Sequence, residues 1–209
     1  MRFTVLGATG GTGVHFVRQA LDADHDVDAV VRRPEAVTDR RHPGLVVYQG
    51  DVMRADTLKE PINGTDAVVF LVGPHSTGPC TVYSSGGHNV IEAMRATGAR
   101  RILAVTAALV DQPNDTLIQR ATRRIVRRVF REAQADRLVF ERELRESGLD
   151  WTIVRPPRLV EGRGKGAYRM AFDTGVRGGL TLSKSDLATA LLSMAADPAT
   201  HGHTVDIAY

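Results

Sequence analysis

The chain has 209 residues, 43% of them hydrophobic, 24% charged and 5% aromatic, with a formal net charge of +3 at pH 7. That length suits one well-packed domain, and that composition excludes a disordered or fibrous chain. The single cysteine, Cys80, excludes an internal disulfide and fits a reducing compartment; no run reaches the roughly 18 apolar residues of a membrane span.

The first predicted strand, Phe3–Leu6, breaks at Gly7 and is too short for a signal peptide, so a cytoplasmic protein is expected. Gly7-Ala-Thr-Gly10-Gly-Thr-Gly13 follows it and opens a helix whose apolar periodicity runs over Val14–Leu21. Each glycine has its own physical reason: Gly7 for a tight turn, Gly10 for backbone approach to a pyrophosphate, Gly13 for close helix–sheet packing. Unpaired amides and the helix dipole then favour an anion. The second strand, Val27–Val31, runs into Arg32-Arg33-Pro34, where an NAD site carries an acid that grips the ribose hydroxyls. Two guanidinium groups suit a 2′-phosphate instead, which predicts NADP(H). Asp22, Asp24, Asp26 and Asp28 lie before or within the strand and do not take the ribose position.

A turn is expected near Pro34–Val37 and a third strand over Leu45–Tyr48, followed by Gly50-Asp51-Val52. Asp51 there can accept from an adenine amino group, cap the next helix, or do both. A helix over Ala55–Pro61 leads to a fourth strand, Ala67–Val72, whose Gly73 lets the backbone pass close to a dinucleotide. Val82–Ala96 reads as a helix, Ile102–Val105 as a strand, and Gln119–Glu146 as a long charged helix. Arg120, Arg123, Arg124, Arg127, Arg128 and Arg131 alternate with Ile118, Ala121, Ile125 and Val129 at helical spacing, which describes a solvated face opposite a core stripe rather than a nucleic-acid surface. The scarcity of lysine (Lys59, Lys165 and Lys184 only) reads as the codon usage of a high-GC bacterial genome.

Thr152–Val154 is the next strand, stopped by Pro156 and Pro157 and followed by the glycine-spaced EGRGKGAY. LTLSKSDLATALLSMAADP then gives a short strand, a Ser183 or Ser185 cap and a helix ending before Pro198, with Thr204–Ala208 as a final strand. Near-continuous apolar strands alternating with helices predict an α/β fold: a doubly wound Rossmann domain, mainly parallel, with helices on both faces. Residues 1–209 are expected to form one domain, about 156–209 completing a cap on the substrate side.

The tyrosines Tyr48, Tyr83 and Tyr168 are followed four residues on by Val52, Gly87 and Phe172. The Tyr-x-x-x-Lys pair of many short-chain dehydrogenases is therefore missing. So are the Gly-x-Ser-x-Gly elbow and a cysteine or carboxylate set to accompany the histidines, so no metal site is expected. What remains is a cofactor with few protein acids around it, compatible with hydride chemistry that the cofactor itself carries.

GATGGTG, VVRR, GDV, DAVVFLVG, NVIEAMRATGARRILAVTAA, LRESGLDWTIVRPPRL and SKSDLA together resemble the atypical short-chain dehydrogenases with an NAD(P)H-binding domain. Within that group the likeness is to the flavin reductase (biliverdin reductase B) family, nearly end to end. The resemblance implies an NADP(H)-dependent reductase of flat conjugated acceptors such as flavins, quinones or linear tetrapyrroles. By position, Gly7, Thr9, Gly10, Thr12 and Gly13 would hold the pyrophosphate and Arg32, with Arg33 as a local addition, the 2′-phosphate. Asp51 and Val52 would touch adenine, Val72 and Gly73 the ribose, while Thr106, Pro156 and Pro157 would frame the nicotinamide. Ala107 and Arg158 stand where the family has a serine and a histidine facing substrate, which weakens biliverdin as substrate. Thr106 and Arg158 are the catalytic candidates, Arg158 as a contact for an anionic group. The expected partner is a small-molecule substrate, with neither nucleic acid nor membrane, and a monomer is favoured. Two other readings stay open: an NADP-binding redox sensor of the nitrogen-metabolite-repressor type, and a biosynthetic reductase or epimerase.

Overall fold

The computed structural model describes residues 1–37, 40–74, 80–107, 124 and 131–209. Strands β1 (Arg2–Leu6), β2 (Asp26–Val31), β3 (Leu45–Gln49), β4 (Ala67–Phe70), β5 (Arg101–Val105) and β6 (Asp150–Arg155) enter one sheet with β8 (Arg169–Phe172) and β10 (His203–Ala208). Its order is β3-β2-β1-β4-β5-β6-β10-β8. All neighbours run parallel except β10 and β8. Two short strands, β7 (Arg158–Val160) and β9 (Thr181–Ser183), pair separately in parallel. The described helices are α1 (Gly11–Asp22), α2 (Lys59–Ile62), α3 (Ser84–Thr97), α4 (Arg131–Glu146) and α5 (Lys184–Ala195).

Successive strand residues point to opposite faces, and both faces are covered. Phe3, Val5, Val69, Leu103 and Val154 pack with Phe16 of α1 and Leu187 and Leu191 of α5. Leu6, Phe70, Ile102, Ala104 and Ile153 pack with Ile91 and Met94 of α3 and Phe140 and Leu144 of α4. Double coverage is why the strands read as continuous apolar runs rather than alternating ones. The α3–α4 contact is close because Gly87 has no side chain; a Cβ there would overlap the Phe140 ring.

The doubly wound parallel architecture is the one the sequence predicts. Three details differ, and the open choice of cap for α5 is decided. β4 stops at Phe70 rather than Val72, so 71–73 leave the sheet and approach the glycine loop. Ala55–Pro61 is a 3-10 turn (Ala55–Thr57) and then α2, not one helix. The cap of α5 is Ser183, whose hydroxyl accepts from the Asp186 amide at 2.9 Å, and not Ser185. Strands β7 and β8 were not foreseen, since the double proline and the glycine spacing around them mask any apolar alternation. Of the long charged helix, only 124 and 131–146 are described; Arg120, Arg123, Arg127 and Arg128 lie outside the described residues. The segment expected to form a cap divides: α5 packs beside α1, β10 enters the main sheet, and β7 and β9 form the small one.

Candidate functional site

The order of the sheet reverses between β1 and β4, because the chain builds β2 and β3 on one side and then crosses to the other. In an open parallel sheet this leaves a crevice at the carboxyl ends of those two strands. The crevice is present: a cleft of about 330 Å³ is walled by Gly7, Thr9 and Gly10 after β1, Val31, Arg32 and Arg33 after β2, and Gly50–Met53 after β3. Leu71, Val72 and Gly73 after β4, with Val82, close its other side.

The glycine loop has the shape its sequence requires. Gly7 sits at φ +89°, and a Cβ on it would lie 3.0 Å from the Leu71 carbonyl group. The Gly10 amide donates to the Gly7 carbonyl at 2.9 Å and closes the turn. A Cβ on Gly13 would overlap that same carbonyl oxygen. No side chain caps the first turn of α1, so its amides are available to an anion. Thr12 and Gly13 are buried in that turn, whereas Thr9 and Gly10 are exposed at the cleft. Arg32 and Arg33 are both exposed on the cleft wall. These features fit a dinucleotide: a narrow backbone cradle for the pyrophosphate, and cations where β2 ends.

Asp51 is half-buried, and its Oδ1 accepts from the Met53 amide at 3.0 Å, so the carboxylate shapes the loop after β3 while remaining on the cleft wall. Val52 is buried against α3, and its carbonyl accepts from the Asn89 side chain at 2.9 Å.

Outside the lining of that cleft, where β5 and β6 end, the Thr106 amide donates to the Val154 carbonyl at 2.9 Å. This bond brings the ends of β5 and β6 together, and with them Thr106 and the buried Pro156. Pro157 is half-buried, and Arg158 is exposed at the start of β7. The Thr106 hydroxyl, a catalytic candidate on sequence, donates to Glu141 Oε1 at 2.9 Å.

Glu141, the partner of Thr106, is not marked out by the sequence. It is 0% exposed, and Arg155 grips it through both Nη2 and Nε, the latter at 3.2 Å. Arg137 and Arg145 each approach it at 3.4 Å. Burial alone would raise its pKa, but hydrogen bonding and charge from Arg155, the charge of Arg137 and the Thr106 hydroxyl outweigh it and hold it below the ordinary value. Arg137 also donates to the Ala107 carbonyl at 2.5 Å, so this ion cluster anchors the loop after β5. In the sequence these residues read as the polar face of a charged helix; only the packing of α4 on β5 and β6 makes them interior.

Lys184, in the SKSDLA stretch, likewise carries no mark in the sequence of where its side chain goes. Its ammonium pairs with Glu161, and its side chain lies over Gly11, where a Cβ would collide with it. A cation therefore stands at the first turn of α1. Asp186, two residues on, accepts from the Lys165 and Gly166 amides at 2.8 and 3.2 Å and from the Tyr209 hydroxyl at 2.6 Å. Burial pushes its pKa up, but these bonds and one with Ser183 together hold it below the ordinary value. Among the described residues, no group of three or more His, Cys, Asp or Glu could hold a metal ion, and no helix is long and apolar enough to cross a membrane.

A doubly wound sheet with this cradle at its switch point defines a Rossmann-type protein for a nicotinamide dinucleotide. Residues 7–198 match the model of the NAD(P)H-binding family, and the chain belongs to that family. A (4-alkanoyl-5-oxo-2,5-dihydrofuran-3-yl)methyl phosphate reductase of Streptomyces griseus subsp. griseus is 33% identical over 152 residues, 73% of this chain and 46% of that protein. The chain thus spans less than half the length of that relative. ChuY, an anaerobillin reductase from Escherichia coli O157:H7, shares the fold with a TM-score of 0.81 at 21% identity, covering 100% of this chain and 97% of that one. A short-chain dehydrogenase/reductase of Veillonella parvula DSM 2008 in complex with NADP has a TM-score of 0.80 at 19% identity, covering 100% and 94%.

Proposed function

We propose that the chain is an NADPH-dependent reductase that passes hydride to a flat, conjugated small-molecule acceptor such as a flavin or quinone. The observation that carries the reading is the pair Arg32 and Arg33 on the wall of the cleft, at the end of β2, where an NAD site has an acid. When bound, the dinucleotide supplies the hydride, and the protein's part is to hold and orient it. Gly7, Thr9, Gly10, Thr12 and Gly13 would present backbone and hydroxyl donors to the pyrophosphate, with Lys184 as a cation beside them. Asp51 and Val52 would border adenine, and Val72 and Gly73 the ribose. Thr106, Pro156 and Pro157 would frame the nicotinamide, Thr106 as a positioning residue whose hydroxyl is committed to Glu141. Arg158, exposed on β7, would meet an anionic group of the substrate. The reductase names of the Streptomyces relative and of ChuY support the reaction class.

Fluorescence titration is expected to show NADPH binding at least about tenfold tighter than NADH, the worth of one charge-assisted contact. The double variant Arg32→Ala, Arg33→Ala should erase that preference while leaving NADH affinity near wild type. Equal affinity in the wild type would overturn the NADP assignment. Turnover is tested with FMN, riboflavin and small quinones as acceptors.

The commitment of the Thr106 hydroxyl to a buried carboxylate favours one second reading, a redox sensor that binds NADP(H) without turnover. Similar affinities for NADP+ and NADPH with no acceptor reduced would select it.

A further inference from the structure

The last strand of the main sheet, β8, has β10 on one side and, among the described residues, no strand on the other. Its register pairs Ala171 with Asp206 and Arg169 with Ala208. The Asp173 amide continues the ladder, donating to the Thr204 carbonyl at 2.7 Å, and its φ of +55° then ends the extended run. Backbone groups of successive residues in an antiparallel strand point alternately to its two sides. Arg169, Ala171 and Asp173 therefore turn theirs toward β10, and the amides and carbonyls of Met170 and Phe172 face the open edge. Such an edge is a template for another strand.

The side chains at those two positions are apolar and exposed, Met170 by 45% and Phe172 by 42%. Opposite them on β10 stand Ile207 and Val205, which belong to the layer packed with α1 and α5. Met170 and Phe172 thus prolong that layer past its last covered strand. Neither position carries the charge or the proline with which edge strands commonly prevent pairing.

The edge is also complementary to itself. Two copies can meet antiparallel about a two-fold axis, each using the same patch. An axis centred on Met170 or on Phe172 leaves the other residue opposite a position outside the strand. Centred on Ala171, it sets Met170 of each copy opposite Phe172 of the other. Each such pair exchanges both of its backbone hydrogen bonds, so every outward amide of the strand finds a carbonyl. The thioether and the ring then meet directly across the junction, a favourable contact. The same register brings Arg169 across from Asp173 of the second copy, twice. Both residues are exposed. Arg169 donates only to carbonyls, those of Arg177 and Tyr209 at 2.9 and 2.6 Å, and has no carboxylate partner among the described residues. Asp173 accepts from the Thr204 amide at 2.9 Å and pairs with the exposed His203 ring. Hydrogen bonding, apolar contact and charge select one and the same register.

We infer that β8 is a dimer interface: two copies of this chain join antiparallel at Ala171, and their eight-stranded sheets continue as one. The occupant is a second copy because the edge's own sequence satisfies the edge. This replaces the monomer favoured on sequence, and it is independent of the reaction, since the cleft lies at β1 and β4. With so few residues the junction is small, and the dimer forms with rising concentration rather than permanently.

Sedimentation velocity of the full chain is expected to show a monomer–dimer equilibrium with a dissociation constant on the order of 10 µM. Met170→Pro removes an amide that has no partner in β10, and proline is tolerated at such an edge. It should weaken the dimer at least about tenfold. Phe172→Lys, at an exposed side chain, should do the same and covers the case in which proline disturbs the strand. Ala171→Cys in a Cys80→Ser background reads the register. Opposed residues of a non-hydrogen-bonded pair stand about 4.5 Å apart at Cα, within disulfide reach, so mild oxidation should link two chains through position 171. Arg169→Cys in the same background, where the two thiols lie on opposite sides of the axis, should link at least about tenfold more slowly. A chain that stays monomeric at about 100 µM, ten times the expected constant, overturns the inference. So does a dimer that survives both Met170→Pro and Phe172→Lys, or an Ala171→Cys variant that links no faster than Arg169→Cys.

Discussion

At the amino ends of the strands, Arg101 is buried among neutral acceptors. It donates to the Asp150 and Met194 carbonyls at 2.9 and 2.7 Å and to the Thr152 and Thr200 hydroxyls, both at 2.8 Å. At the carboxyl ends, the buried Arg137 and the half-buried Arg155 stand against Glu141, with Arg145 at the margin. Both arrangements take guanidinium groups out of water, and each leaves one buried Nε, that of Arg101 and that of Arg137, without a hydrogen-bond partner among the described residues. The first ties β5, β6, α5 and the turn Pro198–Thr200 into one block, with no charge partner in its bonds; burial lowers the Arg101 pKa to about 10, so it stays charged at neutral pH. The second concentrates charge under the loop that carries Thr106 and Ala107. The end that only has to hold together uses dipoles, and the end beside the cleft uses ions.

The difference is best broken at Glu141. Glu141→Gln would leave Arg137 and Arg155 buried without their anion, an expected loss of about 3–5 kcal/mol in urea unfolding. The wild type should also show an acid limb from this group. Its pKa is lower folded than unfolded, so its contribution is complete above the unfolded value near 4.3 and is lost as pH falls through the folded one. The glutamine variant should lack that part of the limb; an identical pH profile would mean that the ion cluster contributes nothing. Arg101→Met comes next, at about 2–3 kcal/mol for the carbonyls and hydroxyls left without a donor, and its loss should be the same at acid and neutral pH. A pH-dependent loss there would erase the contrast between the two ends. The smallest stability effect belongs to the rim of the cleft. Lys184→Ala removes a surface ion pair with Glu161 and should change stability by about 0–1 kcal/mol, yet weaken NADPH binding severalfold in the same titration.

The parts of the site legible in the sequence are those built from neighbours in the chain. Gly7, Gly10 and Gly13 state their geometry locally, and Arg32 and Arg33 follow a strand that any apolar count finds. The acids and cations of the other half come from distant segments. Glu141 and Arg137 sit in a helix so rich in charge that nothing marks which turn faces inward. Tyr83 is buried by stacking on Phe140, 57 positions away, a contact that nothing in its neighbourhood along the chain announces. Lys184 reaches α1 only because α5 packs beside it. Strand β8 is an edge with mostly exposed residues, and among the described residues it pairs with β10 alone, so no local pattern announces it.

The placement of β10 has an effect on how the protein is made. The ribosome produces β8 some thirty residues before β10, yet β10 is the strand that separates β8 from β6. Until β10 arrives to fill it, β6 therefore presents a bare edge of unpaired amides and carbonyls, beside a face of the sheet that α5 covers only late in synthesis. An open edge of that kind pairs readily with other chains. Slow translation or a shortage of chaperones in that interval should raise the yield of aggregates without any change in the stability of the finished molecule.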